Sequence, residues 1–176
     1  MGKWLKLIMA MVLVLTLILT LTLSSPLFAI NGKSNRATLR GLKAVGVLVE
    51  NLPSEVEKEG LNRDQLQKTI ESKLRLAGIK VLTKEEAFYT LGEPFLYINI
   101  NVNMAKTESD IYPYCIDMLL IQKVSLLRDP KQTTYAVTWS TGGVGSIGEA
   151  ILSQLRENVE EMVDVFIKAY LAENPK

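Results

Sequence analysis

Apolar and polar positions divide the chain into stretches of different period. A long unbroken apolar run comes first, at residues 7–23, preceded by Lys3 and Lys6 and followed by Ser24, Ser25 and Pro26. A basic end, an apolar stretch and a small residue at Ala29 form the pattern of an export signal. The positive-inside bias holds the two lysines in the cytoplasm and sends the downstream chain across the membrane. Two fates stay open for this segment. Pro26 and Ala29 favour cleavage after residue 29, whereas the run exceeds the usual signal core and approaches the roughly 17 apolar residues that span a bilayer, as an uncleaved anchor would. Either fate puts the remainder outside the cytoplasm, in the periplasm or secreted, with residues 7–23 as the only membrane contact.

Behind it, residues 31–36 are polar and aperiodic, which reads as a flexible linker over 30–40. Residues 42–50 are short, β-branched and apolar on both faces, as a strand in a sheet interior is. A helix comes next: Asn62 caps it, Gln65 stands three residues on, Leu61 is placed to staple against Leu66, and Leu66, Ile70, Leu74 and Ala77 share one face. Gly78 closes it. Residues 79–82 complete a strand-helix-strand unit that should be parallel, and Thr83 with Glu86 makes a second capping box for a brief helix ending before Gly92.

The period then becomes two. Leu96, Ile98, Ile100, Val102 and Met104 alternate with Tyr97, Asn99, Asn101 and Asn103, so one face is core and the other wet. Residues 114–128 give Ile116, Met118, Leu120, Val124 and Leu126 to the core, with Asp117, Lys123 and Ser125 opposite and Leu119 and Ile121 interrupting that polar face. A turn at 129–131 leads to a strand over 133–140 containing Tyr135, Val137 and Trp139, which completes an antiparallel meander. The last helix is expected over 148–172, with Ile151, Leu155, Val159, Met162, Phe166 and Tyr170 in one stripe. The sum is an α/β (α+β) two-layer sandwich: a mixed sheet of about five strands, in the order β-α-β-β-β-β-α, on two helices. Residues 41–176 are then one domain.

Composition narrows the chemistry. The chain has no histidine and a single cysteine, Cys115, so zinc or copper sites of the usual N/S kind cannot be assembled and no internal disulfide can close. No cysteine follows the apolar run, which excludes a lipid-bearing N-terminus. The formal charge of +1 falls to about −1 when the two early lysines leave, and basic residues alternate with acidic ones, which argues against nucleic acid.

Four features invite a functional reading. Residues 143–148 satisfy G-x-G-x-x-G between an expected strand and an expected helix, but no strand comes after them to hold a ribose. Two readings remain for Gly143, Gly145, Ser146 and Gly148: a flexible connection, or a loop whose amides hold an anion. Ser146 resembles a hydrolase elbow, yet Val144 stands where glycine belongs and no histidine exists to act as base. Glu108, Asp110 and Asp117 lie near one end of the meander without cation-loop spacing. Asn99, Asn101 and Asn103 are unusual inside a strand. With Leu119 and Ile121 beside them they outline a partner surface.

Residues 41–82, the stretch from Phe95 through Asn99, and Ala136 through Gly145 resemble a family of small exported bacterial proteins with no assigned activity. The resemblance transfers no functional residues. In architecture alone, the order of elements is similar to the α/β modules of envelope assembly proteins, such as the curli secretion lipoprotein and the N-terminal domain of the Tol translocation protein. The expectation is a non-catalytic, cofactor-free and metal-free envelope module that binds a protein through its wet sheet face or an edge strand. The alternative is a small-ligand or anion binder using residues 142–148.

Overall fold

The computed structural model describes residues 30–58, 60–103, 111–148 and 151–175, with backbone alone at 151–153. The export segment, Met104, Glu108 and Asp110 lie outside the described residues, as does the side chain of Ile151. No helix among the described residues is long and apolar enough to cross a membrane.

In chain order the elements are α1 (Lys33–Arg36) with a 3-10 turn (Ala37–Leu39), β1 (Ala44–Val49), α2 (Ser54–Lys58), α3 (Arg63–Leu76), β2 (Lys80–Leu82), α4 (Lys84–Tyr89), β3 (Phe95–Val102), β4 (Tyr112–Leu126), β5 (Asp129–Ile147) and α5 (Ile151–Glu173). The five strands form one mixed sheet in the order β2-β1-β3-β4-β5. β1 runs parallel to β2 and β3, and β4 runs antiparallel to both of its neighbours, β3 and β5. This is the α/β sandwich that the periods imply.

The helices form where local chemistry starts and stops them. The Asn62 side chain accepts from the Gln65 amide, and Gly78 takes φ +83° just past α3, a conformation cheap only without a Cβ. Thr83 and Glu86 exchange both bonds of a capping box at α4. α3 buries Leu66, Ile70 and Leu74, and α5 buries Leu155, Val159, Val163, Phe166, Ala169 and Tyr170, all against one face of the sheet. Trp139 packs edge-on to Phe166, with ring centroids 5.2 Å apart. Lys73 on α3 reaches Asp164 on α5 at 2.9 Å.

Several expectations need correction. Residues 30–40 are docked, not a flexible linker: Leu39 is fully buried, Ile30 exchanges hydrogen bonds with Ser140, Trp139 Nε1 donates to Asn31 Oδ1 at 2.9 Å, and Asn174 donates to the Leu39 carbonyl. Polar contacts hold this segment, so hydrophobic periodicity is silent about it. The hairpin turn is Leu127–Arg128, because Leu126 pairs with Asp129. Val124 and Leu126 are only half-buried. Gly148 is outside α5, whose described residues run from Ile151, and β5 runs through the glycines to Ile147.

A bulge explains the faces of β5. Leu120 pairs with Trp139, but Ile121 pairs with Val137, which leaves Thr138 as the extra residue. A one-residue slip moves every later side chain to the other face. Trp139 is therefore in the core, while Tyr135 and Val137 lie on the opposite face, 51% and 38% exposed. The Thr138 carbonyl accepts from Asn35 and Thr38, and its hydroxyl accepts from Gln122 at 2.7 Å, which fastens the bulge to the N-terminal segment.

Candidate functional site

Alternation in β3 and β4 builds one face residue by residue. The helix-covered side takes Leu96, Ile98, Ile100, Ile116, Met118 and Leu120. The other side receives, in register across the two strands, Phe95 beside Ile121, Tyr97 beside Leu119, Asn99 beside Asp117 and Asn101 beside Cys115. β1 adds Leu48 next to Tyr97, and β5 adds Val144 next to Cys115. Leu48 is 37% and Val144 65% exposed. α4 covers one end of this side, where Ala87 packs on Ala44, Leu82 and Phe95. Among the described residues no other helix lies on it.

Asn99, Asn101, Leu119 and Ile121 thus share one surface. Asn103 lies just past the end of β3, its amide bonded to the Pro113 carbonyl. At that end a broad, shallow concavity of about 690 Å³ is lined by Asn101, Val102, Asn103, Pro113, Tyr114, Cys115, Val144, Gly145 and Ser146. Part of the asparagine row and part of the glycine segment, far apart along the chain, are therefore neighbours.

The glycine segment itself is not a loop at a helix start. Gly142, Gly143, Gly145 and Ser146 pair with Asp117, Ile116, Tyr114 and Pro113 of β4, so their backbone belongs to a ladder and does not converge on an anion. Gly148 lies just past the strand. The glycines answer to packing. A Cβ at Gly142 would stand 2.7 Å from the Ile116 carbonyl oxygen, and one at Gly145 would stand 2.7 Å from the Tyr114 hydroxyl. The Tyr114 ring lies across Gly145 and its hydroxyl accepts from Asn158 on α5 at 2.8 Å. Glycines without side chains erase the period-two signal, which is why the strand is hidden in the sequence.

Electrostatics on the face are local. The Tyr97 hydroxyl donates to Glu50 at 2.6 Å. Holding that proton against a carboxylate pushes the Tyr97 pKa up to about 12, and the same bond, with the Asn51 amide, holds Glu50 below the ordinary carboxylate value. Burial, and then the neighbouring Asp117 charge, push the Cys115 thiol up. A protonated thiol is a poor nucleophile, so Cys115 behaves as a packing residue, its Sγ 3.8 Å from Asp117 Oδ2. Glu93, at φ +42°, accepts from Lys123 at 2.7 Å and from the Tyr135 hydroxyl, and so ties the turn before β3 to the β4–β5 hairpin. Both donors, Lys123 first, lower the Glu93 pKa.

A second concavity, between α3 and α4 at the ends of β1 and β2, has no counterpart among the sequence expectations. Its walls come from four separated segments, and no local pattern marks it. No protein-family model matches the chain, and no curated protein matches it.

Proposed function

We propose that this protein is a non-catalytic, exported module of the bacterial cell envelope that binds a protein partner through the open face of β3, β4 and β5. The reading rests on the register of those strands. It sets Tyr97 and Phe95 beside Leu119 and Ile121, and next along the same face Asn99 and Asn101 beside Asp117 and Cys115, so that hydrogen-bonding groups border an apolar strip, a composition suited to a protein interface with an apolar centre and polar rim. Export rests on residues 1–29, with their basic start and apolar run. The non-catalytic reading is supported by Cys115, whose thiol is held protonated and poorly nucleophilic by burial and by the charge of Asp117.

The test is photo-crosslinking in the intact native cell, with a photoreactive residue placed in turn at Asn99, Asn101, Leu119 and, as a control on the outer side of α3, at Lys68. A discrete protein adduct from the first three positions and none from Lys68 is the expected result. Adducts from all four positions alike, or from none, would overturn the proposal.

A further inference from the structure

The chain leaves β1 and β2 toward opposite faces of the sheet. After β1 it passes into α3 on the core face, whereas after β2 it turns at once into α4 on the other face. In a parallel sheet such a reversal opens a crevice outside the carboxyl ends of the two strands, a common place for ligands. Here a crevice of about 310 Å³ lies at that point, with Val47 and Leu48 as its floor, Arg63 and Gln67 on the α3 side, and Lys84 and Phe88 on the α4 side.

Three observations say what fits it. First, β2 ends at Leu82, which pairs with Gly46, while β1 continues to Val49. The Gly46 and Glu50 amides donate toward β3, to Pro94 and Ile98. Strand alternation therefore turns the backbone groups of Val47 and Val49 toward the crevice. Arg63 Nε takes the Val49 carbonyl at 2.9 Å, and beyond Leu82 no strand among the described residues pairs with this edge. Second, the Gln67 amide nitrogen donates to Glu71 at 3.1 Å, which leaves its Oε1 buried without a donor. Third, Glu71 is neutralised by Arg75 at 3.0 Å, while Lys84 has no ion pair among the described residues and stands across from Arg63, whose own pair, with exposed Asp64, is loose at 3.6 Å. An edge strand, an acceptor without a donor and two cations call for an extended backbone with N–H groups and a carboxylate.

We propose that this crevice binds an extended peptide carrying an acidic group, added as a strand along residues 47–49 of β1 beyond the end of β2. Peptide N–H groups meet the Val47 carbonyl and Gln67 Oε1, a peptide carbonyl meets the Val49 amide, and the carboxylate lies between Arg63 and Lys84. An apolar side chain rests on Leu48 and Phe88. Main-chain bonds supply affinity in this mode and side-chain pockets supply selectivity. The crevice shares Leu48 and Phe95 with the open face but none of Asn99, Asn101 and Leu119, and does not depend on that face being an interface.

The experiment is selection, on the full chain, from a display library of hexapeptides randomised at every position, followed by affinity measurement. Selected peptides are expected to carry an acidic residue and to bind Lys84→Glu about tenfold more weakly. Lys84→Glu keeps the fold, because an acid in the first turn of α4 suits the helix dipole. Gln67→Leu, which removes the unpaired acceptor, should also weaken binding, and N-methylation of alternate peptide amides should abolish it while methylation of the intervening ones does not. Failure to enrich any peptide, undiminished binding by Lys84→Glu, N-methylation without alternation, or equal competition by free acetate would overturn the proposal.

Discussion

Replacing Gly142 by alanine asks directly whether residues 142–147 are a packed strand. The new methyl would lie 2.7 Å from the Ile116 carbonyl oxygen and 3.2 Å from Asp117 Oδ1. The first of these is backbone of β4, hydrogen-bonded to β5 itself, and cannot move without opening the ladder. Overpacking of this kind costs about 1–3 kcal/mol. Alanine also restricts the unfolded chain, which returns about 0.4–1 kcal/mol. At Gly148 a methyl meets nothing within 4 Å, so only the second effect remains and Gly148→Ala should be neutral or slightly stabilising. Gly143→Ala falls between them, since its Cβ would meet the flexible end of Met162 at 3.3 Å. The gap between Gly142→Ala and Gly148→Ala is therefore about 1–3 kcal/mol, or roughly 2–12 °C in Tm for a chain of this size. Urea unfolding followed by far-ultraviolet circular dichroism measures it. Equal stabilities within about 0.5 kcal/mol, as an open loop would give, would refute the strand argument.

Asn62→Ala should cost α3 its cap and about 1 kcal/mol, with Asn62→Asp restoring most of it in the same denaturant titration. Deleting Thr138 removes the bulge and forces Trp139 out of the core or drags β4 out of register. A loss of about 3–5 kcal/mol is expected, as for truncating a buried aromatic, together with a red-shifted emission of Trp139 in a Trp4→Phe background. Glu93 is lowered below its ordinary 4.5 by Lys123 and Tyr135. Its contribution to stability is thus present above the unfolded carboxylate pKa and lost as pH falls through the folded one. Glu93→Gln should flatten the acid limb of the stability profile below pH 4.5, leave the slope around neutral pH unchanged, and flatten the alkaline limb as well, because Glu93 is what raises the pKa values of Lys123 and Tyr135.

Much of this fold was legible because its elements carry local signals. Asn62 and Gly78 bound α3, Thr83 and Glu86 start α4, and the alternation from Leu96 to Val102 marks β3 and its faces. The illegible parts depend on contacts distant in sequence. The docking of residues 30–40 rests on bonds to Ser140, Trp139 and Asn174. The flip of Tyr135 and Val137 rests on a bulge that the sequence pattern does not announce. The glycines read as a loop because a strand without side chains has no period, and their reason lies in the Ile116 carbonyl and the Tyr114 ring on the neighbouring strand. Of the site, the sequence held the asparagine row and its apolar neighbours, since strand alternation alone places them. It did not hold the crevice at the ends of β1 and β2, which exists only because two connections leave toward opposite faces.

The most direct test of the account is whether the partner's adduct depends on the open face. With a photoreactive residue fixed at Asn99 in the native cell, Leu119→Lys should abolish the crosslinked adduct, while Lys68→Glu on the far side of the molecule leaves it intact. Leu119→Lys should also keep the urea midpoint near that of the parent, since Leu119 is only half-buried. An adduct of unchanged yield in Leu119→Lys, at unchanged stability, would contradict the claim that this face is where the protein binds.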